Sequence, residues 1–250
     1  MAKIIDVHSH FLPGIDDGCK KIKDSIALLI MSSEQGVDTI CGTPHYYSTC
    51  SVQEFLNKRE YAMSSLMDAI MKVQHELVKE GEATLNLPKM RMGAEVAYTP
   101  YLINEDRIAD LCYEGTNYLL LEMPFESWGP KVIQDVRYLI DNGGITPVIA
   151  HIERFYAFND KKVIKELLEL PVIVQMNAEY VINEYHKAKR LIKKDVIHVL
   201  GSDCHRPNRR TQNMGDAVRI LNKKIPSAVD KFSYNSELIL KRNYKVEDLL

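Results

Sequence analysis

A chain of 250 residues with a formal net charge of -2 has no global electrostatic pull toward nucleic acid or an anionic membrane. Its 46% hydrophobic and 26% charged content is that of a globular protein with a large core, read here as one domain over 1–250. No apolar run approaches the ~20 residues of a membrane helix, Asp6 interrupts the N-terminus before a signal-peptide core forms, and the scattered cysteines (Cys19, Cys41, Cys50, Cys112, Cys204) include no CxxC, which predicts reduced thiols in the cytoplasm.

Short apolar runs predict strands over 3–7, 37–41, 90–96, 118–123, 146–150, 172–176 and 197–201. Several are apolar on consecutive positions, such as Tyr118-Leu119-Leu120-Leu121 and Val172-Ile173-Val174, as strands buried on both faces of a parallel sheet must be. Amphipathic stretches between them predict helices over 24–35, 52–80, 100–110, 130–142, 161–169, 178–194 and 211–222. Gly36, Gly143 and Gly144 stand where left-handed caps would end helices. Seven β/α units predict an α/β barrel or an open doubly wound sheet. The tail from Ile225 on carries no nameable chemistry.

The strand ends carry the chemistry. The first runs into Asp6-Val7-His8-Ser9-His10, and residues two apart on a strand share a face, so His8 and His10 aim two imidazoles together. The second leads to Thr43-Pro44-His45 and the third to Gly93-Ala94-Glu95. The fourth carries Glu122 among leucines, where a carboxylate is costly unless paired or metal-bound. The fifth ends in His151-Ile152-Glu153-Arg154, the sixth in Gln175-Met176-Asn177, and the seventh in Ser202-Asp203-Cys204-His205-Arg206. In α/β folds these C-terminal strand ends form the functional rim. Singly, each has a bland alternative: Asp17 before Gly18 as a turn residue, His45 as a loop histidine, Asp203 as a helix cap. Jointly, His8, His10, Asp17, His45, Glu95, Glu122, His151, Asp203 and His205 exceed the three protein ligands of a single catalytic zinc and suit two or three divalent transition-metal ions. His75, His186 and His198 fall elsewhere and read as structural or surface residues.

Clustered divalent ions generate a hydroxide nucleophile and clamp phosphoryl oxygens. Arg154 and Arg206 flank the cluster in sequence, and guanidinium forks onto phosphate, so the substrate reads as a phosphoester. Cys204-x5-Arg210 also matches the spacing of cysteine-based phosphatases. Pro207 lacks an N–H, the loop has no Gly, and Asp203 and His205 are already wanted as ligands, so the metal reading is preferred.

These motifs, in this order from His8 to His205, resemble the PHP (polymerase and histidinol phosphatase) superfamily. His8-Ser-His-Phe-Leu-Pro-Gly-Ile-Asp-Asp-Gly18 and Thr146-Pro-Val-Ile-Ala-His-Ile-Glu-Arg154 are most similar to the metal-dependent protein tyrosine phosphatases of bacterial capsule biosynthesis. The resemblance implies a distorted seven-stranded (β/α) barrel with a trinuclear site using Mn, Fe or Zn. One ion would be held by His8, His10, Glu95 and Asp203; a second by Glu95, Glu122 and His151; a third by Asp17, His45 and His205. Asp17 is preferred to Asp16 because the family's acid precedes a Gly. The implied substrate is a tyrosine-phosphorylated protein, a kinase controlling polysaccharide export. The region 50–89 departs from the family pattern. Two further readings fit the same motifs: a small-molecule phosphatase such as histidinol-phosphate phosphatase, and a metal-stabilised regulatory protein without catalysis.

Overall fold

The apolar runs make parallel ladders in a computed structural model that describes residues 2–241. In chain order the elements are β1 (Ile4–Ser9), α1 (Ile22–Glu34), β2 (Val37–Gly42), β3 (His45–Tyr46), α2 (Val52–Lys79), β4 (Lys89–Met92), β5 (Glu95–Ala97), β6 (Tyr118–Glu122) and α3 (Pro130–Asp141). They continue with β7 (Thr146–Ile149), α4 (Lys161–Leu168), β8 (Ile173–Asn177), α5 (Ala178–Asn183), α6 (Tyr185–Lys193), β9 (Val199–Gly201), α7 (Met214–Lys224) and α8 (Pro226–Ile239). One sheet has the order β1-β2-β4 and the other β3-β5-β6-β7-β8-β9, and every strand pair is parallel.

The strand expected over 37–41 is β2 throughout, with a further strand beyond it, whereas the one expected over 90–96 meets an interruption. Pro44 has no N–H for a ladder, so β2 stops and β3 resumes at His45. Gly93-Ala94 likewise divides β4 from β5. Backbone bonds cross both breaks: Gly93 N–H donates to Gly42 O (2.9 Å) and Glu95 N–H to Pro44 O (3.1 Å). At the other seam, Asp203 N–H donates to His8 O and His10 N–H to Cys204 O, each at 2.8 Å. The end of β1 and the segment after β9 are thus stitched side by side.

Alternate side chains go to two cores, as strands buried on both faces require. Ile5, Val7, Leu120, Val148, Ile173 and Val199 form one cluster with Tyr113 and Tyr118, which Leu238 and Ile239 of α8 join. Ile40, Leu119, Leu121, Ile149, Val174 and Leu200 pack into the larger cluster with the helices.

Three expectations need correction. The stretch 100–110 is not an α-helix but two 3-10 turns, Leu102–Asn104 and Ile108–Leu111; the Glu105 carboxylate takes the Arg107 N–H that a helix would use. The stretch 178–194 breaks at Glu184, whose backbone (φ -127°, ψ 40°) ends α5 before α6 begins. Of the three cap glycines, Gly36 and Gly144 have positive φ, while Gly143 does not. Helix α8 was not legible in the tail, because its buried face includes Asn235 and Ser236. The stretch 243–250 lies outside the described residues.

His198 is a structural residue. Its Nδ1 accepts from Val174 N–H (3.0 Å), its own N–H donates to Val174 O (2.9 Å), and its carbonyl accepts from Asn235 (2.9 Å). Burial, aided by Lys231, pushes its imidazole down to about 4. The folded state therefore excludes a proton that the unfolded chain binds below the usual ~6.5. Stability present above that pH is lost as pH falls toward 4, by an amount on the order of 2–3 kcal/mol from this group. In urea titrations His198→Asn should flatten the decline between pH 6.5 and 4; an unchanged slope would refute the assignment.

Candidate metal centre

All nine candidate ligands converge in one cluster. Glu95, registered against Leu120 of β6, is buried and lies at the middle. Its Oε2 is 3.1 Å from His8 Nε2, 3.2 Å from His10 Nε2 and 3.0 Å from His45 Nδ1. Its Oε1 is 3.0 Å from His151 Nε2, which is 3.3 Å from Glu122 Oε1. Asp203 Oδ1 lies 3.6 Å and 3.5 Å from the Nε2 atoms of His8 and His10. Asp17 Oδ1 lies 3.4 Å from His45 Nε2 and 3.3 Å from His205 Nε2. Candidate ligand atoms lie within 4.8 Å of one another in three groups: His8, His10, Glu95 and Asp203; His10, Asp17, His45 and His205; His45, Glu95 and Glu122.

The donor set fits cations better than a hydrogen-bond network. Glu95 Oε2, His45 Nδ1 and His151 Nδ1 are buried without a hydrogen-bond partner. Three imidazole nitrogens crowd Glu95 Oε2 within 3.2 Å, yet none makes a hydrogen bond to it. Convergence on a point rather than pairing is what ligation requires.

Local backbone explains the convergence. A register irregularity between Asp6 and Ser9 accompanies the turn of His8 and His10 toward each other, their Nε2 atoms 3.2 Å apart. Close packing supports both rings: a Cβ on Gly201 would lie 2.6 Å from His8 Cβ, and one on Gly18 2.3 Å from His10 O. His151 (φ 31°) and Asp203 (φ 53°) adopt left-handed backbone at a cost of about 1–3 kcal/mol each, as functional sites often do.

Charges follow from the same contacts. Burial opposes ionisation of Glu95 and Asp203, but the imidazoles hold both well below the usual carboxylate range. Burial likewise opposes an imidazolium at His10, yet Asp16, Asp203 and Glu95 raise it well above its ordinary value. His151 is raised to about 9 because Glu122 and Glu95 outweigh burial, while burial, His10 and Arg210 lower His205 to about 4.

The sequence reading missed the supporting residues. Asp16 accepts from His10 Nδ1 (2.7 Å), Gly18 N–H (2.8 Å) and His45 N–H (3.1 Å), and its carboxyl is brought down to about 2 by His10 despite burial. Asp17, 63% exposed in its side chain, faces the imidazoles instead. Gln175 Oε1 accepts from His151 N–H (2.7 Å) and lies 3.2 Å from His8 Nδ1; its amide donates to Asn177, which donates to Asp203 (3.0 Å). Their polar side chains at a strand end were the available signal.

The arginines divide differently from expectation. Arg154, on a 3-10 turn at Ile152–Ala157, donates to Asp203 Oδ2 (2.5 Å). Arg206 does not reach the carboxylates: it donates to the carbonyls of Asp17 (2.9 Å) and Gly18 (3.2 Å), bracing that loop. Arg210 takes the second place on Asp203 and donates to His205 Nε2 (3.0 Å). With Asp17, His205, Arg206 and Arg209 it lines a cavity of about 110 Å³. Cys204 is buried, its thiol pushed well above its ordinary value by burial and Asp6, and Arg210 points to Asp203 rather than to it. No cysteine nucleophile is presented there.

A single family model, described as "Capsular polysaccharide synthesis, CpsB/CapC", matches residues 4–241. The chain belongs to the CpsB/CapC family. CpsB of Streptococcus pneumoniae, named a tyrosine-protein phosphatase, is 30% identical over 239 residues, covering 88% of this chain and 90% of its own. YwqE of Bacillus subtilis (strain 168), named likewise, is 28% identical over 250 residues, covering 95% and 92%. A chain from the crystal structures of YwqE from B. subtilis and CpsB from S. pneumoniae, described as unique metal-dependent tyrosine phosphatases, shares the fold with a TM-score of 0.75, 24% identity and 96% of each chain covered. The phosphotriesterase homology protein from Escherichia coli, complexed with phosphate, shares the fold at a TM-score of 0.52 and 13% identity over 95% of this chain and 98% of its own.

Asp6 anchors this centre from behind. It accepts from Ser202 N–H (2.8 Å), Ser202 Oγ (2.6 Å), Gln212 Nε2 (2.8 Å) and His8 N–H (3.2 Å), tying β1 to the segment after β9. Burial nonetheless raises its carboxyl above the ordinary value. Asp6→Ala orphans these buried donors and should cost about 3–5 kcal/mol of unfolding free energy. Denaturant melts would check this; a loss under about 1 kcal/mol would deny Asp6 the anchoring role.

Proposed function

We propose that the chain is a metal-dependent phosphomonoester hydrolase acting on protein phosphotyrosine. The observation that carries the metal half is Glu95 Oε2, crowded by three imidazole nitrogens without a hydrogen bond. Membership of the CpsB/CapC family, whose relatives are named tyrosine-protein phosphatases, supports the substrate half. The substrate is read as a tyrosine kinase controlling capsular or extracellular polysaccharide synthesis, met in the cytoplasm. No helix among the described residues is long and apolar enough to cross a membrane. The fold is read as one PHP-type domain over 1–250, a distorted seven-stranded barrel, with β2 and β3 as one interrupted strand and β4 and β5 as another.

Three ions of Mn, Fe or Zn, manganese preferred, are assigned to these residues. His8, His10, Glu95 and Asp203 would hold the first; Glu95, Glu122 and His151 the second; Asp17, His45 and His205 the third. Bound there, they supply the Lewis acidity that activates water and neutralises phosphoryl oxygens. The chain's own residues hold and orient. Asp16 on His10 Nδ1 and Gln175 on His8 Nδ1 select the tautomer whose Nε2 faces Glu95 and Asp203. Arg154 and Arg210 each spend part of the guanidinium fork on Asp203 and keep further N–H groups for phosphate.

Chelation should abolish turnover of a phosphotyrosine peptide and manganese should restore it. Glu95→Gln and Asp203→Asn should lower kcat by about 100-fold or more. Turnover by a verified metal-free sample would refute the reading, and far greater activity on histidinol phosphate than on the peptide would redirect it to a small-molecule phosphatase.

The arginines should separate in kinetics. Arg154→Ala and Arg210→Ala should raise KM for the peptide about 10-fold, with Lys recovering only part of it. Arg206→Ala should act through the Asp16-Asp17-Gly18 loop, lowering retention of metal on dialysis. Equal KM effects from all three would contradict this division.

A further inference from the structure

Two half-exposed aromatic rings each stack on a histidine of the metal centre. Tyr47 stacks on His45, with ring centroids 4.9 Å apart and planes at 23°. Phe125 stacks on His151 at 6.0 Å and 25°. His45 and His151 flank the same carboxylates: His45 is 3.0 Å from Glu95 Oε2, and His151 is 3.3 Å from Glu122 Oε1. Two imidazoles beside Glu95 and Glu122 thus each carry one aromatic ring. Both rings are left half in water, Tyr47 at 50% and Phe125 at 47% exposure. Their neighbours in the core show that burial was open to aromatics here: Tyr46, next to Tyr47, and Phe155, which Phe125 touches at 5.2 Å, are buried.

A half-exposed ring at the mouth of a polar centre offers apolar surface to a ligand that has a face of its own. Inorganic phosphate and alkyl phosphates have none. We propose that Tyr47 and Phe125 are specificity-determining residues that form the walls of an aryl subsite, receiving the phenyl ring of a phosphotyrosine whose phosphate lies in the metal centre. This rests on the phosphatase reading above. It adds which residues discriminate aryl from alkyl phosphoesters. The rings touch the ring of the substrate and not the reacting atoms, so they act on binding more than on the chemical step.

The test uses the metal-loaded, full-length enzyme and the variants Phe125→Leu, Tyr47→Leu and Tyr47→Phe. Three quantities are measured: KM for a phosphotyrosine peptide, and inhibition constants for phenylphosphonate and for inorganic phosphate against p-nitrophenyl phosphate. An aromatic contact is worth about 0.5–1.5 kcal/mol, or about 3- to 10-fold in affinity. Each Leu variant should raise the peptide KM and the phenylphosphonate constant by about that factor, with the phosphate constant changed by less than about 2-fold. Tyr47→Phe should keep wild-type values, since the ring and not the hydroxyl is used. A parallel rise in the phosphate and phenylphosphonate constants would mean that the rings merely support His45 and His151, and would overturn the proposal. So would no change in either constant. Melting temperatures identify any variant that fails to fold, and the remaining one then decides. Wild-type enzyme that hydrolyses p-nitrophenyl phosphate but not the peptide would instead sink the phosphotyrosine reading.

Discussion

A carboxylate buried away from water persists as an anion only where positive charge surrounds it, and Glu95 sets this demand for the whole centre. Four histidines converge on it from three places in the chain: His8 in β1 and His10 just after it, His45 at β3 and His151 after β7. Each of those positions then needs its own support. Asp16 orients His10, Gln175 receives the backbone of His151, and Gly18 and Gly201 leave room behind the first two rings. The strained backbone at His151 and Asp203 is the remaining cost of bringing side chains to one point.

The same demand explains why the arginines sit where they do. Asp203 serves imidazoles through one oxygen and guanidinium groups through the other. It links the cation-binding side of the centre to the anion-binding side. Arg206, closer in sequence to Asp203 than Arg210 is, ends on loop carbonyls instead, because the turn closed by His205 N–H to Arg210 O folds Arg210 back beside Asp203.

Much of this was legible in the sequence. Strand ends in His, Glu or Asp are visible in one dimension, and a glutamate such as Glu122 in an apolar run has few innocent explanations. These side chains, together with Asp17 from the loop after the first strand, meet in space. What escaped depends on side-chain direction rather than residue type. Asp16 and Asp17 are adjacent and identical, and only the fold turns one toward His10 Nδ1 and the other toward His45 and His205. Arg206 and Arg210 differ by the course of a turn. The break at Pro44, the 3-10 turns after Pro100 and helix α8 were missed because backbone hydrogen bonds and a mixed polar face decided them, not hydrophobic period.

The seam between β1 and the segment after β9 has a consequence for biosynthesis. Asp6 and Ser202 are 196 residues apart, yet their bond brings His8 and Asp203 into one group of candidate ligands. On the ribosome, at ~5–20 residues per second, the first histidines wait roughly 10–40 s before their partner carboxylate is made. The full set of candidate ligands exists only once His205 has been made, so an ion held by all of them would be selected after that point and not by the first histidines alone.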